Sequence, residues 1–259
     1  MIVRRARPLL GTLVEVGVVG CGAEATRLAD AAFAAIATVQ ARLSRFEPGS
    51  DVARFNELAA GQALDDASDD ACAVLHAAAG LRAHSEGLFD VSIGSAPDGW
   101  RLVDRRLEKL EAGARLDLGG IGKGHAVDRA IDALRAHGAA AGWVNAGGDV
   151  RVFGDLALPI VLRDEAGGGA RPCATLRDGA FATSCFDRQA RSSLAGGRAR
   201  AAHLSVAAPT ALLADALTKI IALTGDTRHA LLERHGARAL VHGARAPAHG
   251  GRTAEAAAA

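Results

Sequence analysis

The sequence contains no tyrosine, and aromatic residues make up only 3% of it. Stacking on a planar ligand is therefore left to Phe, Trp or His. The four cysteines, Cys21, Cys72, Cys173 and Cys185, form no CxxC or other close metal-ligand spacing. They read as small structural hydrophobes, with Cys72 on an apolar helix face. Net charge is only +1, which gives no electrostatic reason to expect nucleic acid as a partner. No uninterrupted apolar run approaches the ~18 residues of a membrane span. The basic start, Met1 to Pro8, runs straight into a strand-like segment. It shows no apolar signal region, no small-residue cleavage site and no lipoprotein-type cysteine. The default expectation is a cytoplasmic chain, although one trimmed of a periplasmic signal reads the same way.

What is present suits a globular protein. Of 259 residues, 49% are apolar and 23% charged, enough for one large domain with a sizeable core or two small ones. Residues 9–19 alternate and are β-rich, which predicts a strand. Leu28, Ala32, Ile36, Val39 and Leu43 recur at spacings of three and four, which predicts one face of a helix over 23–45. Ser50 is placed to cap a helix over 51–58 and Thr210 a helix ending at Gly225, and Ser68-Asp69-Asp70 opens a helix that runs to about Ser85. Strands are expected at 142–153, 158–163, 180–184, 203–207 and 238–242, with short strands within 96–116. The irregular order of helices and strands predicts an α+β class, a single domain over 1–245 with mixed sheets and packed helices. The Ala/Gly-rich tail, 246–259, is expected to be disordered.

The most informative segment is Asp117-Leu118-Gly119-Gly120-Ile121-Gly122-Lys123-Gly124-His125. Its glycines permit positive φ and leave backbone N–H groups free to converge on an anion. A helix expected at 126–137 aims its N-terminus at the same place, and Lys123 adds a cation. Together these suit a pyrophosphate. The competing reading is a tight strand-to-helix turn that needs glycine for geometry alone. Neither the P-loop pattern nor the dinucleotide GxGxxG is present. A second cluster, Asn145-Ala146-Gly147-Gly148-Asp149, sits in a strand-like stretch and signals a bulge or a close backbone approach to a ligand or another strand.

Asp215 lies in an otherwise apolar helix, with Thr218 and Lys219 three and four residues on. One reading is an Asp215–Lys219 helical ion pair. The other is a hard-cation site, with one carboxylate plus hydroxyl and carbonyl oxygens, as Mg²⁺ takes beside a phosphate.

Taken in order, these segments resemble the FAD:protein FMN transferase (ApbE) family over most of residues 9–225. The resemblance rests on Leu10-Gly11-Thr12, Leu43-Ser44-Arg45-Phe46 with Ser50-Asp51 and Asn56, and Gly87-Leu88-Phe89-Asp90. It continues through DLGGIGKGHAVD (117–128), NAGGD (145–149), ATS (182–184) and SVAAPTALLADALTK (205–219). The resemblance implies an α+β fold that binds FAD and Mg²⁺ in a cleft. It implies transfer of the FMN half of FAD to a Ser or Thr hydroxyl of an acceptor flavoprotein, with release of AMP. The alternatives it carries are an FAD pyrophosphatase and a non-catalytic flavin-binding protein. By matched position, Leu10 and Phe46 are expected to contact the flavin half or its linkage. Leu88, Phe89 and Asp90 line the FAD pocket, Gly119 and Gly120 offer backbone to the ligand, and His125 stacks on a ring. Gly122, Asp215 and Thr218 are expected to hold the metal, and Asp215 and Lys123 to serve catalysis.

Three departures stand out. Lys219 occupies the usual position of a threonine, and a protonated lysine cannot ligate Mg²⁺; its ammonium could instead sit where the cation would be. The family's His-x-x-Asp-Pro-x-Thr-Gly segment is not recognisable, Ser192 to Gly197 standing in its region. Val91-Ser92 replaces the usual Pro-Thr after Asp90.

Overall fold

The computed structural model describes residues 1–163, 169–186, 199–242 and 256–257. The strand expected at 9–19 is the second half of a hairpin, β1 (Ile2–Leu9) and β2 (Thr12–Val19). Leu10 and Gly11 turn the chain with φ of 54° and 69°, the double positive φ of a two-residue hairpin whose twist suits the strands. Leu10 is costly there, having a Cβ. Its N–H donates to Gln40 Oε1 at 2.7 Å, which fixes the turn against the following helix.

That helix, α1 (Gly22–Leu43), buries Leu28, Ala32, Ile36, Val39 and Leu43, the predicted face. Helix α2 (Asp51–Glu57) and helix α3 (Asp69–His84) start at Ser50 and Ser68, whose hydroxyls accept from Ala53 and Ala71 N–H. A small antiparallel sheet of β3 (Ala63–Leu64), β4 (Trp100–Val103) and β5 (Arg106–Lys109) lies beside them, in the order β3-β5-β4. Helix α4 (Gly122–Ala136) begins inside the glycine loop, four residues earlier than the sequence suggested.

The main sheet continues with β6 (Gly142–Ala146), β7 (Asp149–Arg163), β8 (Ala170–Cys185) and β9 (His203–Ala208). Helix α5 (Ala211–Thr224) follows, capped by Thr210 and ended by Gly225 in the left-handed region at φ 70°. Short α6 (Ala230–Arg234) leads into β10 (Arg238–Val241). The sheet order is β1-β2-β6-β7-β8-β9-β10, antiparallel throughout, with Ala256–Ala257 (β11) pairing parallel to β8. The expected disorder of residues 246–259 falls otherwise outside the described residues.

Alternation along the strands gives the sheet two apolar faces. Val14, Val16, Val144, Ala182 and Val206 meet α1, α4 and α5 in the main core. Trp143, Val150, Val152, Ile160 and Phe181 form a second cluster. No described helix is long and apolar enough to cross a membrane. No two of the four cysteines are joined in a disulfide; Cys72, read as lying on an apolar helix face, is only half-buried.

Candidate active site

The site forms where the glycine loop, the β6–β7 turn and α5 converge. Asn56 clasps the strand-like approach to the loop, donating to Leu116 O (3.0 Å) and accepting from Leu116 N–H (2.7 Å). Asp117 then accepts from Gly119 N–H at 2.8 Å and pairs with Arg45 at 3.0 Å. The N–H groups of Ile121 and Gly122 donate to Leu118 O. These bonds correct the expectation of an open anion cradle, because the loop amides of Gly119, Ile121 and Gly122 are satisfied within the loop. None of its four glycines adopts positive φ. Two of them, Gly120 and Gly124, serve close approach. A Cβ on Gly124 would stand 2.2 Å from the carbonyl oxygen of Ala211, and one on Gly120 3.2 Å from Lys219 Cε.

Positive φ occurs instead at Gly147 (64°) and Gly148 (105°). NAGGD is a two-residue hairpin turn between Ala146 and Asp149, which are paired across it. A Cβ on Gly147 would reach within 2.6 Å of Thr12 Oγ1, so this turn packs against the β1–β2 turn. Asn145 Oδ1 accepts from Gly148 N–H at 3.0 Å and steadies it.

Helices α4 and α5 are joined at their N-termini. Asp128 accepts from Ala211 and Leu212 N–H at 2.9 Å each and pairs with Arg151 at 2.6 Å. Burial raises its carboxyl above the ordinary range, with Arg151 opposing. This capping from a neighbouring helix brings Asp215 to the start of α4, where Gly124 N–H donates to Asp215 Oδ2 at 3.3 Å. The anion at this helix N-terminus is thus supplied by the protein.

Asp215 has 0% exposure. Its Oδ1 lies 2.5 Å from Lys219 Nζ, which also donates to Asp215 O (3.1 Å), Thr218 Oγ1 (3.0 Å) and Ser184 Oγ (3.4 Å). The Asp215–Lys219 ion pair read from the sequence therefore forms, but inside the core and not on a surface. Burial alone would raise the Asp215 carboxyl; Lys219 and Lys123 outweigh that and hold it below the ordinary range. Lys123 Nζ lies 2.5 Å from Asp149 Oδ2. Burial opposes the Lys123 charge, and Asp149 and Asp215 overcome it, raising the ammonium above the usual lysine range. Asp149 itself is 1% exposed. Burial, with Asp215 nearby, pushes its carboxyl up to about 6 against the pull of Lys123.

The residues expected to bind Mg²⁺ do not fit it. Asp215 Oδ1 and Thr218 Oγ1 accept from the Lys219 ammonium, a like charge to any metal entering there, and Asp215 Oδ2 accepts from Gly124 N–H. Among the described residues no three His, Cys, Asp or Glu side chains converge on a metal position.

Two cavities meet at Lys123. One, of about 360 Å³, is mostly apolar and is walled by Leu10, Leu43, Phe46, Gly119 and Gly122. Phe46 stands 79% exposed at its edge, with the Arg45 guanidinium 4.7 Å from its ring centre. The other, of about 710 Å³, is more polar and is walled by Asn145, Gly147, Gly148, Thr183 and Ser184, with Trp143 and Phe181 behind. A narrow crevice holds Leu88, Phe89, Asp90 and Gly120 beside Lys219, sharing Asp117 with the smaller cavity. Within it the Asp90 carboxylate organises its own turn, accepting from Ser92 N–H (2.8 Å), Ser92 Oγ (2.6 Å) and Gly94 N–H (3.1 Å). His125 turns away from this region, its Nε2 2.8 Å from Asp70 Oδ1. That overturns the expectation that it stacks on a ligand ring: the loop's last residue points to α3 because the first turn of α4 is already wound.

Asp149, Ser184, Asp128 and Gln40 are site or positioning residues that sequence reasoning did not single out. Asp149, Ser184 and Asp128 lie within the quoted motifs, but no local pattern indicates their partners.

A scan against protein families matches the ApbE family over residues 10–109 and 100–241. The chain belongs to the ApbE family. Solved ApbE structures share its fold. The flavin transferase ApbE from Vibrio cholerae is 20% identical with a TM-score of 0.79, covering 93% of each chain. The apo flavinyl transferase ApbE of Pseudomonas stutzeri is 23% identical with a TM-score of 0.76, over 95% of this chain and 92% of that one. The ApbE protein of Thermotoga maritima is 21% identical with a TM-score of 0.80, over 93% and 94%. Comparison with curated sequences gives no match. Within this ApbE fold, the described site differs from the expectation chiefly at Lys219. The region of the missing His-x-x-Asp-Pro-x-Thr-Gly segment, Ser192 to Gly197, lies outside the described residues.

Proposed function

We propose that this chain is a flavin transferase that moves the FMN half of FAD onto a Ser or Thr hydroxyl of an acceptor protein. The observation that carries this reading is the pair of cavities meeting at Lys123, one apolar and one more polar. Their sizes are ordinary for ligand sites, and their division suits a dinucleotide with a planar apolar ring at one end and a charged centre. In this reading Leu10 and Phe46 receive the flavin. Asn145 and the Gly147-Gly148 turn face the polar half, and Lys123 lies beside the pyrophosphate.

In the reaction, the acceptor hydroxyl oxygen attacks the phosphorus of the FMN half. The bond from that phosphorus to the bridging oxygen breaks, AMP leaves with that oxygen, and the hydroxyl proton is released. Such transfers depend on positioning and charge more than on covalent help. Lys123, fixed by Asp149, offers a directed positive charge that needs no reorganisation during the step. Mg²⁺ has no role in this reading, because Lys219 occupies Asp215 Oδ1 and Thr218 Oγ1, two of the oxygens expected to bind it.

The self-neutralised cluster of Asp149, Asp215, Lys123 and Lys219 also favours a second reading, a protein that binds flavin with little turnover. Incubation with FAD and a candidate acceptor flavoprotein, followed by AMP quantification and intact mass of the acceptor, separates the readings. AMP matched by FMN-labelled acceptor supports transfer. AMP and free FMN without acceptor indicate a pyrophosphatase, and bound FAD without AMP the second reading.

A further inference from the structure

We infer that Lys219 is a built-in cation that replaces a divalent metal, so that flavin binding and transfer here need no metal ion. The inference rests on the flavin reading of the site only in its last clause; occupancy of the position by Lys219 stands on the geometry alone.

The Nζ of Lys219 faces four oxygens: one carboxylate, one backbone carbonyl and two hydroxyls, from Asp215, Thr218 and Ser184. This is the donor chemistry of a hard cation, gathered at distances of 2.5–3.4 Å, which suit an ammonium. Ser184 and Thr218 also hydrogen-bond each other at 2.9 Å, so the hydroxyls are fixed by partners from two different elements, β8 and α5.

Charge supports the same conclusion. The carboxylates of Asp149 and Asp215 face the ammoniums of Lys123 and Lys219, and the formal charges of the four cancel. A divalent ion added to this buried cluster would leave an uncompensated charge of two, which burial penalises heavily. Removing the Lys219 charge while keeping its neighbours leaves one carboxylate unbalanced, and hydroxyl and carbonyl oxygens open beside it.

The loop is shaped for the lysine as well. Gly120 lies over its stem, a Cβ there standing 3.2 Å from Cε and 3.5 Å from Cγ. The chain of Lys219 runs under Gly120 along the crevice that contains Phe89 and Asp90. A shorter side chain at 219 would leave that space empty, as a site that houses a metal requires.

The test is Mn²⁺ binding to the ligand-free full chain, read by electron paramagnetic resonance, together with FAD affinity measured in chelator and in Mn²⁺. For the native chain we expect no site-bound Mn²⁺ up to about 1 mM, the weak end of hard-cation sites, and the same FAD affinity in both buffers. For Lys219→Thr we expect one bound Mn²⁺, lost again in Lys219→Thr/Asp215→Asn, and an FAD affinity that falls in chelator. Stoichiometric Mn²⁺ on the native chain, abolished by Asp215→Asn, would overturn the inference, as would a folded Lys219→Thr that takes up no Mn²⁺. If Lys219→Thr is too unstable to titrate, Lys219→Gln is examined by thermal unfolding. A Tm rise of about 5 °C in saturating Mn²⁺ supports the inference, and no rise overturns it. Failure of FAD to bind at all would count against the proposed function and leave the Mn²⁺ result standing.

Discussion

Asp149 holds the ammonium of Lys123 at 2.5 Å with one carboxylate oxygen, while its other oxygen, equally buried, has no hydrogen-bond partner among the described residues. A half-satisfied buried carboxylate is costly when ionised. It is retained at the junction of both cavities, where it fixes Lys123 and so sets the direction of the site's positive charge.

The raised carboxyl of Asp149 makes stability pH-dependent. Its native value, about 6, exceeds the ordinary 3.8, so the folded chain holds this proton more tightly than the unfolded chain. The resulting stability is fully present below 3.8 and is lost as pH rises through about 6. Asp215 acts in the opposite direction: its lowered value gives stability that is present above 3.8 and lost as pH falls through its native value. Comparison with Asp149→Asn isolates the first effect. The Tm of the native chain minus that of the variant should decline from pH 4 to pH 6 and level off above it, measured by scanning calorimetry. A difference that stays flat would mean that Asp149 ionises normally.

Phe46 tests whether the apolar cavity is a ligand site. It is 79% exposed and contributes little to the core. Phe46→Ala should change stability by less than about 0.5 kcal/mol and weaken FAD binding about tenfold, the loss of one aromatic contact. Fluorescence titration with FAD and a thermal melt check both. An unchanged FAD affinity would remove Phe46 from the flavin site.

Gly124 tests the junction of α4 and α5. Its missing side chain lets the first turn of α4 meet the carbonyl of Ala211, where a Cβ would stand at 2.2 Å. Backbone cannot yield as a flexible side chain does. Gly124→Ala should destabilise by about 1–3 kcal/mol or more, lowering Tm by several degrees, and should disturb Asp215 through its bond to Gly124 N–H. An unaltered Tm would mean that the two helices do not need this approach.

Much of this was legible in the sequence because it depended on local rules. Ser50 and Thr210 cap the helices they were expected to cap, and Ser68 stands at the start of the helix expected to open there, since an N-cap is a contact within four residues. The buried face of α1 followed from its period. The two hairpin turns read as continuous strand or bulge in the sequence, because Leu10-Gly11 and Gly147-Gly148 lie inside β-rich stretches that continue on both sides of them. Leu10 in particular carries no turn signal, and Gln40, thirty residues away, holds it. The sequence locates the glycine loop, but positive φ and free amides, which its glycines permit, are not what the fold uses. The role of Gly120 and Gly124, approach to Lys219 and Ala211 on α5, depends on tertiary packing. His125 departs from its expected place for the same reason, its partner Asp70 lying fifty-five residues earlier, in the first turn of α3. The buried pairing of Lys219 with Asp215 was visible as a spacing of four, whereas its burial and its contact with Ser184 were not.

The most direct test of the account is AMP release from FAD, in the presence of a chelator, as a candidate acceptor flavoprotein is added. The account predicts AMP that rises with acceptor and equals the FMN found on its Ser or Thr residues. FAD that binds yet yields no AMP with any acceptor, with or without metal, would contradict it.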